Sequence, residues 1–234
     1  WVAAEPHPSV KDDLGSQVRR FAEKMSHLLN ATVTNGVRVS TLTISSGHAV
    51  VGVNVGKLRP DPRPIPLASA GGKALVYLYL AHYCELDPEG RYLTMTQSTM
   101  SLYTSAEMAD DELLVGIDYV RDPTNQFPGS HLHVAGQRDD LDDIYLGDER
   151  KRRKLRDLHL PVGGKRFRPT LEDLLAFTIT EEMVEPRDGW RAVIDEHRAT
   201  WTQVQVKAAA RRNPEDAAAA LAEAGWTVTP PTDP

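Results

Sequence analysis

The residues best suited to chemistry lie between positions 113 and 169. In SHLHVAG, His131 and His133 stand two residues apart, and His159 follows in DLHLPVGGKRFRP. A strand with a period of two sets the first pair of imidazoles on one face and turns Leu132 and Val134 towards a core. Such a pair suits two uses: ligation of a divalent metal by neutral imidazole, or an acid and a base acting on one phosphate or ester. A polar strand face whose histidines simply hydrogen bond to their neighbours has the same pattern. Asp118, Tyr119 and Arg121 precede the pair and could lie across a hairpin from it. Asp118 would point to one face of its strand, with Tyr119 and Arg121 on the other.

A second group follows His159. Gly163 and Gly164 permit a tight turn with exposed backbone N–H groups, and Lys165, Arg166 and Arg168 bring positive charge to it. A phosphate is the ligand such a turn favours, from a nucleotide or a nucleic-acid backbone. Pairing of these arginines with Glu172 and Asp173 at the next helix start is the plainer reading. Between the two groups, Arg150 to Arg156 is crowded with basic residues. It has no interleaved aromatic residue, so it reads as a solvated helix face or an interaction arm.

Composition bounds these options. The chain has 234 residues, 41% hydrophobic and 26% charged, as in ordinary soluble domains. Its net charge of −6 argues against a protein that coats nucleic acid over its whole surface. The single cysteine, Cys84, excludes an internal disulfide framework and a cysteine-rich zinc site, and reads as a buried structural thiol. The apolar run from Ala74 to Ala81 is too short to cross a membrane, so no membrane partner is expected and a cytoplasmic location is. No H-E-x-x-H, G-x-S-x-G, G-x-G-x-x-G or P-loop is present, which disfavours zinc protease, serine hydrolase and Rossmann readings.

The elements that must position the histidines can be read from periodicity. Ser9 to Asn30 has apolar residues every three or four positions, predicting an amphipathic helix opened by a Ser9 cap. Val37 to Ile44 and Ala49 to Val55 predict an antiparallel pair around Gly47. Arg59 to Pro66 carries four prolines, predicting an irregular loop that continues through Gly72. Strands follow at Lys73 to Leu86, Arg91 to Tyr103 and Leu113 to Val120, completing a meander. Beyond the HLH strand and an HLP turn the chain reads as helical. Leu141 to Leu155 ends in the basic run, and Leu171 to Met183 starts behind a capping box of Thr170 and Asp173. A long helix spans about Asp188 to Arg212, and a last one starts at Asn213 and Pro214 and ends at Gly225. The predicted fold class is α+β: an N-terminal helix, an antiparallel β-meander and a C-terminal helical extension. Residues 1–185 form the site-bearing domain and 186–234 the extension.

The stretches SHLHVAG, LHLPVGGKRFRPTLEDLLAF and GWRAVIDEHRATWTQVQVKAAARRNPEDAAAALAEAGW together resemble a group of uncharacterised actinobacterial proteins, over most of the chain. That likeness brings no function with it. At the level of fold, a meander that ends in an H-x-H strand and continues into a helix is similar to the toxin half of the TumE type of toxin–antitoxin pair. In those toxins an Arg-Tyr-Asp order before the histidines is expected, whereas here the order is Asp118, Tyr119, Val120, Arg121. This resemblance implies a nuclease or toxin.

Sequence therefore predicts a cleaver of phosphodiesters in nucleic acid or nucleotides, of a toxin or phage-defence type. His131 and His133 act as acid and base or as metal ligands, His159 assists, and Gly163, Gly164, Lys165, Arg166 and Arg168 hold the phosphate. The alternative is a non-catalytic subunit of a multiprotein complex, or of an oligomer, bound through the C-terminal helices. A small-molecule enzyme using the same histidines is a third possibility.

Overall fold

A computed structural model describes residues 13–44, 47–69, 71–136, 158–163 and 168–229. The predicted helix Leu141 to Leu155 and the basic run lie outside them. The first helix, α1 (Leu14–Thr32), is capped by Asp13, whose carboxylate accepts from the Ser16 N–H at 2.7 Å. α1 therefore starts five residues later than the helix predicted from Ser9, which lies outside the described residues, and Asp13 is its cap. Leu14, Val18, Ala22, Met25, Leu28 and Leu29 recur at helical spacing and are all buried.

An eight-stranded antiparallel sheet follows, made of β1 (Val39–Ile44), β2 (His48–Val53), β3 (Ile65–Ala68), β4 (Ala74–Leu86), β5 (Leu93–Tyr103), β6 (Leu113–Val120), β7 (Ser130–Val134) and β8 (Leu160–Pro161). The strands lie in the order β1-β2-β4-β5-β6-β7-β8. The 13-residue β4 is long enough to hold β2 along one half and β3 along the other. β3 corrects the expectation that the proline-rich stretch is irregular as far as Pro66. Pro66 sits opposite Tyr77, exposed on a short strand at the sheet margin, where a missing N–H is tolerated. β8 corrects the predicted HLP turn: Leu160 and Pro161 pair with Leu132 and His131 and extend the sheet by one more strand.

Three helices complete the described fold: α2 (Leu171–Thr180), α3 (Trp190–Arg212) and α4 (Pro214–Glu223). The predicted capping box is present, with the Asp173 carboxylate accepting from the Thr170 N–H at 2.9 Å. One continuous core joins α1, α2 and the sheet, and includes Leu78, Leu80, Met100, Leu102, Ile117, Leu174 and Leu175. Ile194, on the first turns of α3, is 1% exposed within that core. Further along, Val204, Val206 and Leu221 are exposed. Among the described residues, no helix is long and apolar enough to cross a membrane.

The other face of the sheet is covered differently. At the β2 side, Pro62 is buried against Gly52, whose lack of a side chain is what admits the loop. A Cβ there would lie 2.6 Å from the Pro62 ring and 2.7 Å from the Leu80 carbonyl oxygen. Towards β7 the face carries the histidines.

Candidate functional site

Strand register builds the site. Asp118 on β6 lies directly opposite His131 on β7, and Gly116 lies opposite His133. Alternation then sets Asp118, His131 and His133 on one face, away from the core residues Ile117 and Leu132. Pairing of His131 with Pro161 brings β8 alongside, and His159 reaches the same place. The three ring centroids are 4.7 to 5.0 Å apart. One nitrogen from each ring lies within 4.8 Å of the others.

Each ring is held. The Nδ1–H of His131 donates to the Pro128 carbonyl at 2.8 Å. A carbonyl only accepts, so this bond fixes the neutral ring's tautomer and leaves Nε2 with a lone pair, the usual arrangement of a metal-ligating histidine. Phe127 lies flat on His159, with centroids 3.6 Å apart and planes at 7°. The Asp118 carboxylate approaches His133, Oδ2 to Nε2 at 3.4 Å. Its other oxygen, Oδ1, is buried without a hydrogen-bond partner among the described residues. An orphaned carboxylate oxygen beside three imidazoles is an environment that a cation stabilises.

The ring geometry also fits an ion. Zinc at about 2.0–2.1 Å from each nitrogen draws tetrahedral ligands to about 3.4 Å from one another. The present spacing, up to 4.8 Å, is somewhat more open than that. Three imidazoles and one carboxylate are a set that zinc and related divalent ions accept.

The predicted phosphate group is divided by the structure. Gly163 is exposed just beyond β8, while Gly164, Lys165 and Arg166 lie outside the described residues. Arg168 is on the opposite side of the sheet from the histidines. Its guanidinium lies 4.1 Å from the centre of the Tyr119 ring and 5.5 Å from that of Trp201, and Tyr119 faces the core. Burial lowers the Arg168 pKa. A cavity of about 640 Å³ lies there too, lined by Arg168, Asp173, Arg198, Trp201 and Gln205, and none of the three histidines borders it.

Sequence reasoning weighed Asp118 without assigning it to the site, and missed Phe127 and the Pro128 carbonyl. Alternation across the β6–β7 hairpin is the signal that finds Asp118. Nothing local marks the other two, because they act through a loop conformation. Cys84 is buried as predicted, and burial pushes its thiol up to about 12, far from a nucleophile at neutral pH.

No protein family, curated protein or solved structure matches the chain. Function is read from the site itself.

Proposed function

We propose that His131, His133 and His159 hold a divalent metal ion, with Asp118 beside it, and that this centre cleaves phosphodiester bonds in nucleic acid or nucleotides. The observation that carries the reading is the convergence of the three imidazole nitrogens within 4.8 Å. A divalent ion held by three neutral ligands would keep its full positive charge and would supply Lewis-acid chemistry, acidifying a bound water and polarising a phosphoryl oxygen. Asp118, beside His133, would accept the proton of the attacking water. In that hydrolysis water would add to phosphorus as the P–O bond to the leaving group breaks, and the proton taken by Asp118 would pass to the leaving oxygen. Support for phosphate as the substrate group comes from the sequence: Lys165 and Arg166 come two and three positions after Gly163, which itself lies just beyond β8.

The test is cleavage of labelled RNA and DNA with zinc, manganese or magnesium, against a chelator and against the His131→Ala/His133→Ala double variant. Cleavage that is lost with chelator and lost in the variant supports the reading. Equal turnover in the variant, or no cleavage under any of these conditions, overturns it.

A second reading attaches to the C-terminal helices. Val204 and Val206 on α3 and Leu221 on α4, with Trp226 beyond, are 44 to 68% exposed and suit a protein interface. Light scattering on the purified chain tests it: a defined oligomer or a co-purified partner favours an interaction role, and a clean monomer counts against it.

A further inference from the structure

Beside the histidine cluster the sheet presents a surface of unusual composition. Register places Tyr77, Tyr79 and Tyr83 of β4 and Gln97, Thr99 and Tyr103 of β5, with the buried Ser101 among them, on the face of Asp118 and the histidines. Tyr77 stands directly opposite Tyr103, and Tyr79 opposite Ser101, which is in line with Gly116 and His133. All four tyrosines are half-buried, so their rings are part of the surface. The described helices that pack on the sheet do so on its other face. By strand spacing, Tyr103 lies about 12 Å and Tyr79 about 14 Å from His133, measured between Cα atoms.

Charge on this surface is the second observation. None of the eight strands contains a lysine or an arginine, and their carboxylates are Glu85 and Asp118. A duplex shows a protein its phosphate backbone, and binding one requires cations along its path. Among the described strand residues, the phenol rings, hydroxyls and amide of this face supply none. The face matches instead the planar, uncharged bases of an unpaired strand, which stack on aromatic side chains and use their hydrogen-bonding edges. Tyr79 and Tyr103 also stay neutral. Burial, with the neighbouring Tyr83 hydroxyl and the Asp61 charge behind it, pushes the Tyr79 phenol up to about 12, and burial raises that of Tyr103.

We infer that the sheet face bearing Tyr79 and Tyr103 is the base-binding platform for a single-stranded nucleic-acid substrate, whose scissile phosphate lies at the histidine cluster. This rests on the metal-dependent reading above and narrows its substrate to unpaired strands. The cluster supplies the interaction with the phosphate, and the sheet supplies the interaction with bases on one side of it.

The experiment separates the two levels. Fluorescein-labelled RNA and DNA oligonucleotides, single-stranded or annealed to their complements, are titrated with protein in chelator, so that binding is read by anisotropy without cleavage. Tyr79→Ala, Tyr103→Ala and the corresponding Phe variants are compared, and zinc uptake is measured on each preparation. Single strands should bind more tightly than duplexes. Each alanine should weaken single-strand binding by about tenfold, the Phe variants should retain it, and zinc uptake should be unchanged throughout. Duplex bound as tightly as single strand, or alanine variants that bind like the parent while taking up zinc, overturns the inference and leaves the metal centre standing. Tyrosine-dependent strand binding without any zinc uptake supports the platform and removes the metal.

Discussion

The Asp118 carboxylate meets the His133 imidazole at 3.4 Å, Oδ2 to Nε2, from the strand next door. Those residues are a diagonal pair across β6 and β7, since the direct partners are Asp118 with His131 and Gly116 with His133. Gly116 keeps the diagonal clear: a Cβ on it would lie 3.1 Å from the Ser101 hydroxyl and 3.7 Å from the His133 Cβ. Asp118→Asn keeps the size of the side chain and removes its charge. The variant should fold, and its zinc affinity or turnover should fall by about 10- to 100-fold, the usual effect of losing a supporting carboxylate. Isothermal titration with zinc, beside the cleavage rate, checks this, and unchanged values would detach Asp118 from the site.

His82 predicts how stability depends on pH. It lies 5% exposed under α1, with Phe21 edge-on at 5.5 Å, and neither ring nitrogen has a hydrogen-bond partner among the described residues. Burial first, and the nearby Arg168 charge second, lower its pKa to about 3. The folded state therefore favours neutral imidazole, and the unfolded chain binds a proton at about pH 6.5. Stability from this preference is complete above pH 6.5, falls as the pH drops from there towards 3, and levels off below. Urea midpoints should accordingly decline with acid more steeply in the parent than in His82→Phe, and two parallel curves would contradict this.

Gly52 tests the loop that covers the β2 side of the site-bearing face. Because an added Cβ would meet both Pro62 and the Leu80 backbone below 3 Å, Gly52→Ala should cost about 1–3 kcal/mol. Gly56→Ala, a few residues along and with open space around its Cβ position, should be close to neutral. Thermal melts of the two variants give the comparison, and equal losses would count against the packing described.

The extent to which sequence revealed this arrangement differs by element, for physical reasons. Period-two and period-3.6 patterns located β1, β2, β4 to β7 and the helices, because burial on one face leaves that imprint on residue type. The same rule set His131 and His133 on one face. Pro66 and Pro161 hid β3 and β8, since short marginal strands need few N–H donors and tolerate the residue that argues against a strand. Arg168 looked like a phosphate ligand from its neighbours in sequence, yet it stacks on Tyr119, whose direction follows from strand register and not from chain proximity. The convergence of His159 with the other two rings depends on β8 and so was beyond periodicity as well.

Zinc binding to the purified chain tests the central claim most directly. After chelation and buffer exchange, zinc is titrated calorimetrically and bound metal is counted by mass spectrometry, for the parent and for His131→Ala/His133→Ala/His159→Ala, with circular dichroism to confirm that both are folded. The three-histidine centre predicts a single equivalent of zinc retained by the parent and none by the folded variant. A folded parent that retains no zinc, or a variant that retains as much, would contradict it.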